Sequence, residues 1–466
     1  MDNYYGLDID WISKFKNSIM NNQKSDIVFG YGITGKSIVQ YLARLNRKIT
    51  LIENKSISPE DLFFLEQHHI QIFHDEKQLK NFHNYENCYV SPGIDLRKPF
   101  FRECLDNHIQ LRNDTYFLNQ IDRSKTKLIA VTGTNGKTTF CTLLQNFFIK
   151  LKLKSKLVGN VGTPILDLFF SEEEYNEFII IELSSYQIEL LKEETRFDFG
   201  VILNIEPDHL DRYDSFESYR DTKISLKKFC DVILFDKESV PIKSNPDKAI
   251  PLGIDESYIL QSWDAKSFLF KHEEKQFRID TPYLKGIHNI KNILYIIKLL
   301  DCACKQISLE KIVLFFSTQR GIEHRFEQIE VNHPNIFIND SKATNIASTA
   351  SALNSLENNI HLIFGGELKN QSVVGLEKLF QNKLVSLNLI GKDAEPILTY
   401  LNKFNNSFEI NYFNSLKDVL TYLKKILKRN QIILLSPGCA SKDMFKNYED
   451  RGNQFKNLVV EMFKCN

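Results

Sequence analysis

A glycine-rich segment at residues 131–139 carries residue types that bind phosphate, and its sequence is Val-Thr-Gly-Thr-Asn-Gly-Lys-Thr-Thr. The apolar run before it predicts a buried strand, and residues 140–150 after it predict a helix. Backbone N–H groups at such a junction, the helix dipole and the Lys137 ammonium together attract phosphate, and Thr138 would offer its hydroxyl to magnesium. A surface turn with this spacing by chance is the alternative. We predict an ATP site formed by Gly133, Thr134, Asn135, Gly136, Lys137, Thr138 and Thr139.

A second glycine turn, at residues 30–37, fits two phosphate-binding patterns at once. Its sequence Gly-Tyr-Gly-Ile-Thr-Gly-Lys-Ser satisfies both the P-loop pattern G-x-x-x-x-G-K-S and the dinucleotide fingerprint G-x-G-x-x-G. Predicted strands precede the turn and follow its helix, and the second strand ends at Glu53, where dinucleotide-binding folds hold a ribose hydroxyl. We therefore interpret the segment as a Rossmann-like nucleotide turn with Lys36 and Ser37 as ordinary helix residues. Pattern alone favours NAD as its ligand.

Polar side chains follow two further predicted strands. Glu182 ends one apolar run, and Asn204, Asp208 and His209 follow another. In open α/β sheets ligands bind beyond the carboxyl ends of the strands, so these groups are expected to converge on the ATP phosphates. Glu182 and His209 are candidate magnesium ligands, although histidine is unusual for this hard cation. Taken singly, Glu182 has the alternative of a helix cap and His209 that of a hydrogen-bonded turn.

Length and composition restrict the class of protein. A chain of 466 residues is long enough for about three domains. Lys plus Arg and Asp plus Glu number 59 each, so charge indicates neither a nucleic-acid nor a membrane-surface partner. The first residues lack a basic, apolar leader, no apolar run has membrane-spanning length, and the eight scattered cysteines form no zinc-binding set. We expect a cytoplasmic protein with reduced thiols.

The order of apolar runs predicts the fold class. Apolar strands alternate with helical stretches along most of the chain, which is typical of α/β units on mainly parallel sheets. Three domains are expected: a Rossmann-like domain at residues 1–115, a P-loop ATPase-type domain at 116–321, and a second Rossmann-like domain at 322–466. The third domain contains three further predicted strands, at residues 336–338, 362–364 and 432–435.

Taken in order, these segments resemble the Mur ligases, the ATP-dependent amide-forming enzymes that build the peptidoglycan stem peptide. The resemblance covers nearly the whole chain. In the first two domains its motifs lie at residues 30–35, 91–93 (Ser-Pro-Gly), 132–139, 159–162 (Gly-Asn-Val-Gly), 182–187 (Glu-Leu-Ser-Ser-Tyr-Gln), 208–213, 219–223 (Tyr-Arg-Asp-Thr-Lys) and 286–289 with Asn292. In the third domain they lie at residues 324–327 (His-Arg-Phe-Glu), 339–345 (Asn-Asp-Ser-Lys-Ala-Thr-Asn) and 436–441 (Ser-Pro-Gly-Cys-Ala-Ser). The last two are typical of the D-glutamate-adding branch.

The resemblance changes the expected ligand of the first domain from NAD to the UDP portion of a substrate. In the family the N-terminal domain holds this UDP group. It follows that Thr34, Glu53, Asn54 and Gly93 are expected to contact uridine, ribose or diphosphate. The family usually carries aspartate at the position of Glu53, and the longer carboxylate is expected to do the same job.

The resemblance also implies the reaction. ATP would phosphorylate the carboxylate of UDP-N-acetylmuramoyl-L-alanine, and the amine of D-glutamate would attack the acyl phosphate through a tetrahedral intermediate. Positioned cations would stabilise the negative groups that meet there. Lys137 would hold the β- and γ-phosphates, while two magnesium ions would act as a clamp and as Lewis acids.

The magnesium ligands follow from the same motifs. Thr138 and Glu182 would hold one ion, and His209 would help hold the second. In the family, the lysine that corresponds to Lys223 is carbamylated by CO2, and this modification gives the second magnesium site an anionic oxygen. Without the resemblance, Lys223 would be interpreted as a solvated helix lysine. The path of the muramoyl-alanine carboxylate is expected to be lined by Asn160, Ser184 and His209.

The third domain is expected to bind the amino acid and to close over the reacting centre, because an open acyl phosphate would hydrolyse. By resemblance, the groups approaching the ATP phosphates, ribose or reacting centre are His324, Arg325, Asp340 and Lys342, and the adenine side is contacted by Asn289 and Asn292. The D-glutamate carboxylates would be bound by Lys342, Thr344, Lys369, Ser441 and Tyr448. A dicarboxylate needs at least two cationic or donor anchors, which Lys342 and Lys369 would supply.

Two residues depart from the family pattern, and three other functions are the alternatives. Lys442 stands where the family has an apolar or aromatic residue, and either points to solvent or adds charge beside the acceptor site. Glu367 replaces a common aspartate. The rivals are a sister amide ligase with another acceptor, a nucleotide-sensing protein without catalysis and an NAD dehydrogenase. The motifs favour the D-glutamate ligase. We expect it to act as a monomer on its two substrates, with neither nucleic acid nor a membrane as a partner.

Overall fold

The computed structural model describes residues 24–170, 175–206, 212–245, 248–252, 258–263, 267–272, 274–280, 287–304, 306–318, 322–368 and 371–464. The chain forms two compact units. One lies within Met1–Glu256 and Lys291–Ser308, and the other within Ser257–Ile290 and Leu309–Asn466. The expected boundary at residue 321 and three predicted site residues (Asp208, His209 and Lys369) lie outside the described residues.

The first sheet is wholly parallel, with strand order β3-β2-β1-β4-β5. The elements are β1 (Ser25–Phe29), α1 (Ile33–Arg44), β2 (Ile49–Ile52), α2 (Pro59–Gln67), β3 (Gln71–Phe73), β4 (Tyr85–Val90), α3 (Pro99–Asp106) and β5 (Gln110–Arg112). Helix α1 buries one apolar side that includes Ile38, Val39 and Leu42. It begins at Ile33, so Lys36 and Ser37 are helix residues, as predicted. The Lys36 ammonium pairs with Asp61 of α2 at 2.5 Å.

The second sheet is also parallel and has the order β11-β10-β9-β6-β8-β7. The elements are β6 (Lys127–Thr132), α4 (Lys137–Lys150), β7 (Ser155–Gly159), β8 (Phe178–Glu182), α5 (Ser185–Ile188), β9 (Phe197–Ile202), α6 (Phe216–Ser225), β10 (Cys230–Asp236) and β11 (Ala249–Leu252). Strand β6 lies between β8 and β9, so the three predicted strand ends meet at one edge. All of β8 is buried, which explains its continuous apolar run.

The second unit contains a small antiparallel sheet that the sequence analysis did not predict. Its strands are β12 (Tyr258–Trp263), β13 (Ser267–His272) and β14 (Lys275–Asp280). Two helices follow along the chain, α7 (Ile287–Ala303) and α8 (Leu309–Thr318). Phe268, Phe270 and Ile279 of this sheet are fully buried, whereas the intervening side chains are polar or half-buried. This short alternation is the pattern of a sheet that is covered on one face.

The third large sheet has the order β15-β16-β20-β17-β18-β19, and only β15 is antiparallel to its neighbour. The elements are β15 (Glu327–Ile329), β16 (Ile336–Asn339), α9 (Ile346–Asn354), β17 (Ile360–Gly365), α10 (Leu376–Phe380), β18 (Leu384–Ile390), α11 (Ala394–Leu401), β19 (Glu409–Tyr412), α12 (Leu416–Ile426), β20 (Ile432–Leu435) and α13 (Tyr448–Phe463). The three predicted strands are β16, β17 and β20, which are adjacent. The predicted α/β fold with mainly parallel sheets is confirmed. No helix among the described residues is long and apolar enough to cross a membrane.

Candidate active site

The loop between β6 and α4 has the predicted strand–turn–helix form. Gly136 precedes α4 with a φ of +81°, a left-handed conformation that glycine adopts without strain. The Lys137 ammonium lies against its own loop and donates to the carbonyl oxygens of Gly133 at 2.7 Å and Thr134 at 2.9 Å. Thr138 and Thr139 lie in the first helical turn. The loop therefore curls around its lysine at a helix N-terminus, which is the arrangement that binds phosphate.

The segment after β9 is hydrogen-bonded to the tip of this loop. The Asn204 side chain accepts from the Asn135 N–H at 2.8 Å and donates to the Asn135 carbonyl at 2.9 Å. The Thr134 N–H donates to the Asn204 carbonyl at 2.9 Å, and Glu206 N–H donates to the Thr134 hydroxyl at 3.0 Å. Gly133 has no Cβ at the point where Leu203 comes closest. Asn204 was expected to point at the phosphates. Instead it holds the loop that would bind them.

Glu182 ends β8 as a buried carboxylate that is only partly satisfied. Its side chain is 1% exposed, and Oε1 accepts a hydrogen bond from the Asn160 amide at 2.9 Å. Oε2 has no hydrogen-bond partner among the described residues. The alternative of a helix cap does not apply, because Ser184 caps α5 through the Gln187 N–H. A buried carboxylate oxygen without a donor is costly unless a cation or proton reaches it, so Glu182 fits a metal ligand.

Lys223 lies on α6 and points inward. It is 2% exposed, which contradicts the alternative of a solvated helix lysine. Its ammonium donates to the Gly133 carbonyl at 3.0 Å and to the Thr132 hydroxyl at 3.4 Å, and it lies 4.9 Å from the centre of the Tyr219 ring. Lys223 is thus held beneath the phosphate-binding loop.

Lys137 and Lys223 line one cavity of about 330 Å³. Its lining consists of Pro92, Gly93, Lys137, Asn160, Ser184, Ser185, Tyr186, Tyr219 and Lys223. The cavity brings five predicted residues together from both sheets of the first unit. The other four, Pro92, Ser185, Tyr186 and Tyr219, lie within the quoted motifs but were assigned no role. Tyr219 carried a usable signal, because it lies four residues before Lys223 and therefore on the same helix face.

Three predicted UDP contacts lie around the Rossmann-like turn and outside the cavity lining. Thr34 is in the first turn of α1, and Asn54 is exposed after β2. The Glu53 carboxylate accepts from the Tyr31 N–H at 2.6 Å, so it closes the turn. Only glycine fits at Gly35, because a Cβ there would lie 1.9 Å from the carbonyl oxygen of Gly30. At the predicted turn, helix α1 therefore packs closely against the end of strand β1.

Helix α7 contributes the two asparagines expected on the adenine side. Asn292 is buried, and its amide nitrogen lies 3.2 Å from the position of a Cβ on Gly136. Asn289 is half-buried one helical turn earlier. Asn292 thus packs against the turn that begins the phosphate-binding helix.

The second unit brings two of the predicted acceptor residues, Lys342 and Tyr448, into contact. The Lys342 ammonium donates to the Tyr448 hydroxyl at 2.8 Å. The Asp340 carboxylate accepts from the Ser436 hydroxyl at 2.7 Å and from the Phe326 N–H at 3.2 Å. Burial raises the pKa of Asp340 to about 7. The loop after β16 therefore carries a cation, Lys342, and a buried carboxyl group, Asp340, whose pKa is raised.

The other predicted residues of this unit that the structure describes lie before β15 or after β16 and β20. Burial lowers the pKa of His324, whose Nδ1 lies 3.0 Å from the Asn339 amide. Arg325 follows it, Thr344 is half-buried, and Ser441 is buried. Lys442 is exposed, as expected for a side chain that points to solvent.

Sequence reasoning missed Arg451. It is 1% exposed and donates to the Ser341 hydroxyl, the Ser341 carbonyl and the Cys439 carbonyl at 2.8–3.2 Å. It joins the loops after β16 and β20. It is one of several charged residues on α13, and nothing in the sequence distinguishes it from the others.

The described residues contain no group of three or more His, Cys, Asp or Glu side chains that could hold a metal ion. The candidate magnesium ligands Thr138, Glu182 and Lys223 are of mixed type, and His209 lies outside the described residues. The partnerless oxygen of Glu182 is the observation in favour of a cation.

Comparison with protein families gives three matches along the chain. Residues 24–112 match the Mur ligase MurD-like N-terminal domain, residues 131–300 match the Mur ligase middle domain, and residues 324–439 match the Mur ligase glutamate ligase domain. A UDP-N-acetylmuramoylalanine–D-glutamate ligase from Francisella tularensis subsp. novicida is 33% identical over 442 residues, which cover 94% of this chain and 96% of the relative.

Solved structures agree on the fold. The UDP-N-acetylmuramate-alanine ligase of Thermotoga maritima superposes with a TM-score of 0.59 at 17% identity, covering 94% of this chain and 99% of the other. A MurF ligase from the same organism, solved with ADP, gives a TM-score of 0.56 at 14% identity, covering 95% and 96%. With family models matched in order from residue 24 to residue 439 and a relative of 33% identity along its whole length, this chain belongs to the Mur ligase family.

Proposed function

We propose that this chain is a cytoplasmic, ATP-dependent ligase that joins D-glutamate to UDP-N-acetylmuramoyl-L-alanine in the synthesis of peptidoglycan precursors. The observation that carries the proposal is the cavity in which Lys137, Asn160, Ser184 and Lys223 face the Pro92–Gly93 loop. It brings a phosphate-binding lysine and carboxylate-binding groups next to the Rossmann-like sheet. The full-length similarity to a ligase of this name supports the choice of substrates.

The chemistry requires a carboxylate, a γ-phosphate and an amine to meet in order. ATP first phosphorylates the carboxylate of the UDP-linked substrate, and the amine then displaces phosphate through a tetrahedral intermediate. Lys137 would leave the carbonyls of its loop and pair with the β- and γ-phosphates. Asn160 and Ser184 would orient the substrate carboxylate. Fixed donors act most strongly in such a site because they need no reorganisation during the reaction.

The residues around Glu182 fit magnesium. Glu182 and Thr138 would hold one ion, and His209 with a carbamylated Lys223 would hold another. Bound magnesium would neutralise charge on the transferring phosphoryl group. The buried, partnerless Oε2 of Glu182 supports this role. Carbamylation of Lys223 has its own test: ¹³C-labelled CO2 should give a carbamate NMR signal that disappears in Lys223→Arg.

The UDP group would lie on the first sheet, where Thr34, Glu53, Asn54 and Gly93 follow the carboxyl ends of β1, β2 and β4. ATP would occupy the loop at residues 133–139, with Asn289 and Asn292 toward adenine and Arg325 and Asp340 toward its phosphates or ribose. D-glutamate would be anchored by Lys342, Thr344, Lys369, Ser441 and Tyr448. The Lys342–Tyr448 contact supports an ordered cation for one carboxylate. We propose that the domains span residues 1–115, 116–321 and 322–466 and that the chain acts as a monomer.

The decisive experiment measures phosphate release from ATP and magnesium with UDP-N-acetylmuramoyl-L-alanine and one amino acid at a time. D-glutamate should support release, whereas L-glutamate, D-aspartate and L-lysine should not, and Lys137→Met should abolish it. Release with another amino acid only would favour a sister ligase of this family and make exposed Lys442 the first residue to exchange. No release with any acceptor would refute the ligase activity.

A further inference from the structure

Arg212 joins the loop after β4 to the wall of the cavity formed by α5. Its Nη1 donates to the carbonyl oxygen of Ile94 at 2.5 Å, and Nη2 lies 3.4 Å from the Glu189 carboxylate. The guanidinium carbon lies 4.4 Å from the centre of the Tyr186 ring. The side chain is only 8% exposed. One buried cation thus contacts the loop that follows β4 of the first sheet and the α5 segment that follows β8 of the second sheet.

Two of the partners of Arg212 either line the cavity or directly follow residues that line it. Ile94 directly follows Pro92 and Gly93, which line the cavity on one side, and Tyr186 lines it from the other. Arg212 is not among the lining residues, so it holds both sides from behind. A planar guanidinium presents its N–H donors in a fixed fork and a flat face to a ring, whereas a lysine ammonium is a flexible point charge.

We propose that Arg212 is a positioning residue that fixes the distance between the Pro92–Gly93 loop and Tyr186, and so sets the affinity for the UDP-linked substrate. This inference rests on the proposed function, because that substrate is what the two sides would hold. Arg212 need not touch the substrate. Its loss would let the loop move relative to the phosphate-binding residues, which remain held by their own contacts.

Arg97 provides a matched control, because it lies on the loop after β4 that Arg212 contacts. Its guanidinium forms two-pronged contacts of 2.9 and 3.0 Å with Asp95, yet its side chain is 50% exposed. Arg212 also approaches Asp95, at 3.8 Å. The two arginines therefore share a carboxylate and differ in burial and in the contact with Ile94.

The test compares Arg212→Gln, Arg212→Lys, Glu189→Gln and Arg97→Gln. Binding of UDP-N-acetylmuramoyl-L-alanine is measured by calorimetry without an acceptor, and KM for each substrate is measured where turnover occurs. Loss of a buried charged donor should raise Kd and KM for the UDP-linked substrate about tenfold in Arg212→Gln. Arg212→Lys and Glu189→Gln should show smaller rises. KM for ATP and all values for Arg97→Gln should stay within about twofold of wild type.

The outcomes separate this inference from the proposed function. If wild type does not bind the UDP-linked substrate, the proposed function fails. If wild type binds and Arg212→Gln binds equally well, only the role of Arg212 fails. A parallel rise in KM for ATP would also overturn it, because that result indicates general disruption of the unit. If Arg212→Gln does not fold, Arg212→Lys and Glu189→Gln decide by the same criterion.

Discussion

The Lys342 ammonium is fixed by Tyr448 in two ways at once. It donates a hydrogen bond of 2.8 Å to the phenolic oxygen and lies 4.0 Å from the centre of the same ring. The two residues are brought together by the loop after β16 and the first residue of α13. Because a flexible lysine loses entropy when it binds an anion, a tyrosine that orders it in advance should increase affinity for a carboxylate.

The first prediction concerns Tyr448→Phe, which keeps the ring and removes the hydrogen bond. KM for D-glutamate should rise about three- to fivefold, in line with the loss of one hydrogen bond. KM for ATP should not change, since the substitution leaves the ring contact with Lys342 in place. Initial rates at varied D-glutamate provide the measurement, with Tyr422→Phe on α12 as a tyrosine control away from Lys342. An unchanged KM would remove Tyr448 from the acceptor site.

The second prediction concerns Glu182→Gln, which keeps the size of the side chain and removes its charge. Turnover should fall at least about 100-fold, and more magnesium should be needed, because an anionic ligand is lost at a site of developing charge. Thermal stability should stay level or rise, since a buried charge without a donor on Oε2 is removed. Phosphate release as a function of magnesium and a melting curve test both parts.

Glu177→Gln is the matched control, because Glu177 lies at the opposite, amino end of the same strand and its carboxylate accepts from the Lys154 N–H. It should leave the magnesium dependence unchanged. A Glu182→Gln variant with wild-type turnover would exclude Glu182 as a metal ligand.

The third prediction concerns Asn204→Ala, which removes both side-chain bonds to Asn135. KM for ATP should rise about tenfold, because two hydrogen bonds that hold the phosphate-binding loop are lost. Binding of the UDP-linked substrate should not change. Nucleotide affinity measured by fluorescence, with Asn107→Ala at the exposed C-terminal cap of α3 as control, tests the difference. A shift in both affinities would indicate that Asn204 supports the whole unit and not this loop.

The sequence predicted what depends on local signals and missed what depends on distant contacts. The turns at residues 30–37 and 131–139 are strand–turn–helix units, because glycine spacing and apolar runs specify them locally. Strand-end reasoning placed Glu182 and Asn204 at one edge. Arg212 and Ile94 are 118 residues apart along the chain, and no pattern in the sequence predicts that they are in contact. Strands β12–β14 were missed because their apolar alternation is short.

The last prediction concerns the buried carboxylate of Asp114, which lies between the first two sheets of the chain. Asp114 is 1% exposed, and its carboxylate oxygens accept hydrogen bonds of 3.3 and 3.5 Å from the Gln187 amide. Burial raises the pKa of Asp114 to about 6. The same Gln187 side chain accepts from the N–H and hydroxyl of Ser184 in the cavity wall. Asp114 therefore contacts Gln187, and Gln187 in turn holds Ser184 in the cavity wall.

The sign of the pH effect follows from the direction of this shift. An unfolded aspartate titrates near pH 4, so between about pH 4 and pH 6 the folded protein binds more protons at Asp114 than the unfolded chain does. The free energy of unfolding must then fall as the pH rises through this window and level off above it. The side chain of the Asp114→Asn variant cannot ionise, so the free energy of unfolding of this variant does not fall for that reason. Relative to wild type, it should gain up to about 3 kcal/mol between pH 4 and pH 7.

Urea unfolding of wild type and Asp114→Asn across this pH range measures the difference directly. Asp122→Asn is the control with the opposite expectation. A hydrogen bond from the Ser124 hydroxyl lowers the pKa of exposed Asp122, so removing that charge should bring no gain as the pH rises. If the difference between Asp114→Asn and wild type were constant with pH, the Asp114 carboxyl would titrate normally.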